Sequence, residues 1–187
     1  MDGSESDLVR RLREGDRRAF LTVYEEMRPR LFGFLLRLAR RRDTAEDLLQ
    51  ETFMKLARHA PNLREDTKIA PWLFTVARNA YISHRRWSML DMSRFFAMGD
   101  DVDDAVSLAA TPDAQSERAE AMRGLERALG ELPTSHREVL LLVCVEGVEQ
   151  ADAAAILGIS HDNLRQRLTR ARAALSSTMK ELGHAEA

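Results

Sequence analysis

Apolar residues recur at intervals of three and four along most of this chain, the spacing that gathers one buried face on a helix. Leu8, Leu12, Phe20, Val23, Tyr24 and Met27 follow it over 6–27, with a break expected at Gly15-Asp16. Pro29 then suits the first turn of a second helix carrying Leu31, Phe34, Leu35 and Leu38. Asp43, three residues ahead of Glu46, resembles a capping pair and predicts a third helix over about 44–59, stopped by Pro61 and Asn62. A polar loop over about 61–69 leads to Pro71 and a fourth helix ending near Trp87.

A second set of helices begins near Gln115 and runs through Leu129. Leu132-Pro133 followed by Thr134 marks a stop and a new start, and the next helix reaches Val145. Glu149 to Leu157 then reads as a short helix and Gly158-Ile159-Ser160 as a tight turn with Ser160 as N-cap. A longer helix follows from His161 to about Met179. Two helices joined by a short glycine-containing turn are a helix-turn-helix. The predicted fold class is therefore all-α, with two small helical domains.

Composition supports helices. Hydrophobic residues make up 44% of the 187 and charged residues 31%, with only 5 Pro and 9 Gly, which describes a core-forming chain rather than a disordered one. One cysteine, Cys144, excludes an internal disulfide and a multi-thiolate metal site; its apolar neighbours Leu140 to Val145 predict burial. Met1 to Asp7 is acidic and carries no apolar run, so neither a signal peptide nor a membrane span is expected, and the expected compartment is the cytoplasm.

The net charge of −2 argues against a protein that holds nucleic acid by charge alone, but the charge is unevenly spread. Arg28 to Arg42 holds six arginines and no acid. From Asp91 to Ser116 there are six aspartates (91, 100, 101, 103, 104 and 113) against Arg94, and His161 to Lys180 holds five Arg or Lys against Asp162. The acidic middle, with Gly99 and Thr111-Pro112, predicts a flexible linker over 92–115 between domains at 1–91 and 116–187. Its start, with Met89, Leu90, Met92, Phe95, Phe96 and Met98, is apolar enough for a short helix.

Three faces carry candidate chemistry. On the last helix Leu164, Leu168, Ala171 and Leu175 form the buried stripe. Asp162, Gln166, Thr169 and Arg170 then stand near the opposite pole, Arg165 and Arg172 at its edge and Arg167 nearer the core. Arg can pair with both acceptors of guanine, Gln with adenine, and Thr can touch a thymine methyl, so this is a base-reading surface for a major groove. On the third helix Leu48, Leu49, Thr52, Phe53 and Leu56 face inward, leaving Glu46, Asp47, Gln50, Glu51, Met54 and Arg58 outside. By composition alone that side is a solvated face. The fourth helix mixes Trp72, Leu73, Val76, Ala77 and Ala80 with Arg78, Asn79, His84, Arg85 and Arg86. Trp72 reads as core; Asn79, Arg85 and Arg86 suit unpaired bases and phosphates, and the pattern leaves Trp87 open.

The five histidines stand apart from one another, without the spacings of metal sites, and no nucleophile elbow, phosphate loop or dinucleotide fingerprint occurs. Neither a metal, a cofactor nor a catalytic residue is expected, and the chain does not read as an enzyme. Asp100, Asp101, Asp103 and Asp104 lack the glycine and distal glutamate of a calcium loop.

The string from Asp43 to Phe53, then Pro71-Trp72 through Asn79, Arg85-Arg86, Leu132-Pro133 through Arg137 and the terminal helix-turn-helix resembles the extracytoplasmic-function group of bacterial sigma factors in the sigma-70 family. The resemblance covers about 6–87 and 115–179. It implies that Asp47, Gln50 and Glu51 touch the β′ clamp helices of core RNA polymerase, whose β flap is a further implied contact. It implies a flipped base of the −10 element in the loop from Asn62 to Lys68, beside Arg78, Asn79, Arg85 and Arg86. It assigns the −35 element to Arg165, Gln166, Thr169 and Arg170, with Ser160 and Arg167 nearer the phosphates. Promoter DNA, core polymerase and an anti-sigma factor are the implied partners, without membrane insertion. The acidic linker is expected to lie where nucleic acid later enters.

Asp152-Ala153, Asp162-Asn163 and Ser83 depart from the family pattern, and Asp162 near the start of the recognition helix is unfavourable to an approaching phosphate. An operator-binding regulator would call for a dimerisation element and a ligand pocket; an adaptor mimicking a sigma factor would lack cationic base-facing residues, which Arg85, Arg86, Arg165 and Arg170 supply.

Overall fold

Eight helices account for nearly all of residues 3–95 and 117–185, which the computed structural model describes, and no strand occurs among them. They form two compact units, as the all-α reading expects. The first holds α1 (Gly3–Arg13), α2 (Arg17–Ala39), α3 (Arg42–His59), a 3-10 turn (Ala60–Asn62) and α4 (Ile69–Phe95). The second holds α5 (Glu117–Glu131), α6 (Thr134–Leu140) running into a π-helical turn (Leu141–Val145), α7 (Gln150–Leu157) and α8 (His161–Ala185). The helix α4 passes the expected end at Trp87 and takes in residues 92–95 of the expected linker. The rest of that linker, 96–115 with its aspartates, lies outside the described residues.

The break between α1 and α2 falls where Gly15 takes φ +76° and Asp16 caps the next helix, its carboxylate accepting from the N–H of Arg18 (2.7 Å) and Ala19 (3.3 Å). Arg11 Nε donates to the same carboxylate at 2.8 Å, and this bond and the cap hold Asp16 below the usual carboxylate range.

Pro29, expected to begin a helix, instead sits inside α2. A proline there removes one backbone bond and costs about 3 kcal/mol. The buried stripe Ala19, Val23, Met27, Leu31, Phe34, Leu35 and Leu38 runs straight through the position, and each large apolar side chain buried is worth roughly 1.5–3 kcal/mol. Pro29 is itself exposed, so its ring stands on the outer side of the helix and leaves the buried stripe uninterrupted. Burial wins over local propensity. Phe34 packs edge-on against Phe74 of α4 at 5.3 Å, and Phe53 of α3 lies 4.7 Å from Tyr24.

Asp43 is also not the cap that its spacing to Glu46 suggests. The helix α3 starts two residues earlier than expected, at Arg42, after Arg41, whose side chain makes no capping bond; Glu46 pairs with Arg42 at 2.9 Å. Asp43 lies in the first turn, where the Arg41 guanidinium (3.0 Å) and then the Thr44 N–H (2.7 Å) lower its pKa to about 2. A carboxyl depressed from 3.8 contributes its stabilisation fully above that value and loses it as pH falls toward about 2. Asp43→Asn is therefore expected to flatten part of the fall in Tm between pH 4 and pH 2, measured by circular dichroism, and to leave the slope above pH 5 unchanged.

In the second unit the C-terminus of α5 is closed by Arg137. Arg137 is 6% exposed, and its guanidinium donates to the carbonyls of Leu129 (2.9 Å), Gly130 (2.7 Å) and Leu132 (2.9 Å). Cys144, expected to be buried, is exposed. All residues from Val139 to Val145 are apolar, so the pattern alone does not say which face inward. Val139 to Leu142 fill the core, and the wider π turn, with Glu146 N–H bonded to Leu141 O at 2.9 Å, carries Cys144 and Val145 to the surface. Arg172 approaches the Cys144 sulfur at 3.6 Å.

Candidate nucleic-acid and protein-docking surfaces

The turn between α7 and α8 is made by Gly158 at φ +66°, the left-handed conformation that a side chain resists. Gly158 N–H bonds to Ala155 O and Ile159 N–H to Ala154 O, both at 3.1 Å, so the end of α7 is closed within two residues. Ser160 caps α8, its Oγ accepting from Asn163 N–H at 3.2 Å. Ala153, Ala154, Ile156 and Leu157 of α7 and Leu164, Leu168 and Ala171 of α8 are buried, with Leu175 half-buried. Small residues on α7 let the two helices approach closely.

That packing turns Arg165, Gln166, Thr169 and Arg170 outward, all exposed, with Arg167 half-buried and Ser160 exposed at the cap. Among the described residues neither Arg165 nor Arg170 has an ion-pair partner, so both guanidinium forks are available to a ligand. Thr169 Oγ1 donates to Arg165 O at 3.0 Å, which engages the hydroxyl proton and leaves the methyl and an oxygen lone pair. Asp162 is exposed in the first turn.

On α3, Leu48, Leu49, Thr52, Phe53 and Leu56 are buried, and Thr52 satisfies its hydroxyl on Leu48 O at 2.7 Å. Asp47, Gln50, Glu51 and Met54, which fall on one stripe at intervals of three and four, are exposed, Met54 by 46%. Glu51 is bridged to Lys55 at 2.7 Å. The stripe thus offers two carboxylates, an amide and a thioether on a rigid, packed helix.

On the third surface Asn62 ends the 3-10 turn and Lys68 precedes α4, both exposed. Asn79, Arg85 and Arg86 are exposed and Arg78 half-buried. Asn79 and Arg86 are two helical turns apart, as are Arg78 and Arg85, so they make two adjacent polar stripes on α4. Trp72 is half-buried rather than core: Leu73, Phe74, Ala77, Ala80 and Tyr81 take the inward positions, and Trp72 stands at their flank, 6.3 Å from the His59 ring. Trp87 is 69% exposed. An open cleft of about 450 Å³ lies between the start of α3 and the second half of α4, lined by Arg41, Thr44, Tyr81, His84, Arg85 and Ser88. Of these, His84 and Arg85 stood out in the sequence as polar groups of the fourth helix, and only Arg85 was given a role there. The end of the arginine run at Arg40 to Arg42 was the available signal.

Among the described residues no group of three His, Cys, Asp or Glu is placed to hold a metal ion, and no helix is long and apolar enough to cross a membrane.

The model of sigma-70 region 2 matches residues 23–88, and that of sigma-70 region 4 matches 122–175. The chain is 33% identical to RNA polymerase sigma factor CarQ of Myxococcus xanthus over 93% of this chain and 97% of that protein. It is 32% identical to the ECF RNA polymerase sigma factor SigM of Bacillus subtilis over 83% of this chain and 91% of that protein. Among solved structures, the sigma factor RpoE in complex with the anti-sigma factor NepR from Bartonella quintana superposes with a TM-score of 0.74 at 26% identity, covering 86% of this chain and 96% of that one. CnrH, in complex with the cytosolic domain of CnrY, shares the fold at a TM-score of 0.69 and 23% identity, over 96% and 99% of the two chains.

Proposed function

The chain belongs to the sigma-70 family, in its extracytoplasmic-function (ECF) group, and from that premise we propose how its three surfaces divide the work of an alternative sigma factor. The protein binds core RNA polymerase and promoter DNA and directs transcription initiation. In the proposed division, α8 enters the major groove of the −35 element. Arg165, Gln166, Thr169 and Arg170 meet base edges, and Ser160 and Arg167 meet phosphates. The loop from Asn62 to Lys68 receives an unstacked base of the −10 element, while Arg78, Asn79, Arg85 and Arg86 hold the strand beside it. The α3 stripe of Asp47, Gln50 and Glu51 docks on the β′ clamp helices, and the C-terminal domain, 116–187, meets the β flap. The N-terminal domain, 1–91, thus carries polymerase and −10 binding.

The protein performs no bond chemistry, works in the cytoplasm where the polymerase is, and is held in check by an anti-sigma factor, a partner supported by the RpoE–NepR complex it resembles. The observation that carries this reading is the outward-facing Arg165 and Arg170, without an ion-pair partner among the described residues, on a capped helix directly after the Gly158 turn.

Docking through α3 is tested by titrating labelled protein with sigma-free core polymerase. Asp47→Ala combined with Gln50→Ala is expected to weaken binding by about 30-fold or more, the cost of truncating an interface centre. Equal affinity for the double variant and wild type contradicts the assignment of this surface.

A further inference from the structure

The helix α4 carries half of the proposed −10 site, yet it has no capping residue of its own. Lys68, the residue before it, offers no side-chain oxygen; Pro71 has no N–H; and Trp72 N–H already bonds to Lys68 O at 3.1 Å. The free donors of the first turn are those of Ile69 and Ala70. Ile69 N–H is met by Glu5 of α1, 64 residues away, whose Oε1 accepts it at 3.2 Å. A carboxylate there both satisfies a donor and faces the positive end of the helix dipole.

A second tie lies at the other end of α1. Arg13, its last residue, bridges to Glu65 in the middle of the loop at 3.1 Å. Between the two ties Val9 and Leu12 are buried, which anchors α1 to the body of the unit. The loop has its own turn, with Thr67 N–H on Arg64 O at 3.0 Å and Arg64 paired to Asp66, and Leu63 buried at its start. Its far half is therefore fixed to the fold through α1. The exposed Arg13–Glu65 pair contributes little by itself. The Glu5 cap is the stronger tie.

We infer that α1 is the positioning element of the −10 site: Glu5, seconded by Arg13, holds the loop from Asn62 to Lys68 and the first turn of α4 in the shape that receives an unstacked base. Neither residue touches DNA; both act through the loop. The inference rests on the reading that this loop binds a base. It predicts that opening the promoter depends on α1, while −35 recognition and polymerase binding do not.

The test uses holoenzyme and a promoter fragment recovered by transcription with wild-type protein, with an abasic site placed at each −10 position in turn. On intact DNA, Glu5→Ala is expected to form open complexes about tenfold less well, the effect of losing roughly one cap. Arg13→Ala is expected to have a smaller effect of the same kind. Glu5→Gln, whose amide oxygen accepts the same N–H, restores wild-type opening. At the abasic position that harms wild type most, Glu5→Ala causes no additional loss, because the loop has nothing left to hold. Affinity for core polymerase and for a −35 duplex stays within about twofold of wild type, as expected for distant sites.

An undiminished open complex with Glu5→Ala overturns the inference. So does a loss of the same factor on intact and abasic DNA, or a parallel fall in polymerase affinity and Tm, each of which marks a merely structural role. Wild-type holoenzyme indifferent to every abasic site sinks the base-binding reading of the loop itself, which separates the two failures.

Discussion

Arg165→Ala lowers transcription from a −35-dependent promoter by roughly 5- to 150-fold, the range expected when a side chain pairing with one base contributes about 1–3 kcal/mol of discrimination. The loss is one of recognition rather than folding. Arg165 is exposed, has no ion-pair partner among the described residues, and lies on a helix whose buried side is Leu164, Leu168 and Ala171. Alanine is the better helix former, so the circular dichroism spectrum and Tm are expected to stay at wild-type values. Arg170→Ala behaves alike but relaxes selection at a different base pair, because it stands more than one helical turn further along α8. Arg167, half-buried and assigned to phosphate, gives a contrasting signature. Its truncation weakens all sequences about equally and reduces the salt slope of binding by about one. Selection by transcription from a randomised −35 element separates the two kinds of loss. Unchanged base preferences in Arg165→Ala and Arg170→Ala contradict the assignment of this face.

Arg137→Ala is expected to be the most destabilising single change in the second unit. Three carbonyls at the end of α5 lose a charged donor that is itself 6% exposed, and a cavity replaces the guanidinium. Bonds to a charged group contribute about 1.5–3 kcal/mol each, and even a partial sum gives a loss of about 3 kcal/mol or more. In a unit of this size that corresponds to a fall in Tm on the order of 10 °C or more. Since α8 packs on α5 and α6, the recognition helix loosens with the cap. Amide hydrogen exchange is expected to speed up across α5, α6 and α8 while α2, α3 and α4 keep their protection. Arg137→Lys retains charge without the fork and recovers part of the loss. Wild-type protection in α8 of Arg137→Ala contradicts the capping role.

The helix-turn-helix was legible because each of its signals is local. Gly158 must turn the chain, Ser160 is a capping type, and the stripe of Leu164, Leu168 and Ala171 determines which residues of α8 remain outside. The outward stripe of α3 was legible for the same reason. What was illegible depends on long-range packing. Pro29 looks like a helix start until the buried stripe on both sides of it is known to meet α3 and α4. Cys144 sits in an uninterrupted apolar run, where period alone does not choose a face and the π turn decides it. Trp72 carries the largest apolar side chain of its segment, but Leu73, Phe74 and Ala77 hold the inward register. Arg137 left one sign: it shares a helical face with Leu140 and Leu141, both buried, and an arginine placed there must find carbonyls or carboxylates. Glu5 left none, because the N–H it satisfies is 64 residues away.

The most direct test of the whole account is transcription by sigma-free bacterial core polymerase on fragmented genomic DNA, with and without this protein, with start sites mapped. The account predicts transcripts that appear only when the protein is added, whose upstream sequences share a −35 and a −10 element. Absence of such transcripts, together with absence of a complex between the protein and core polymerase, contradicts it.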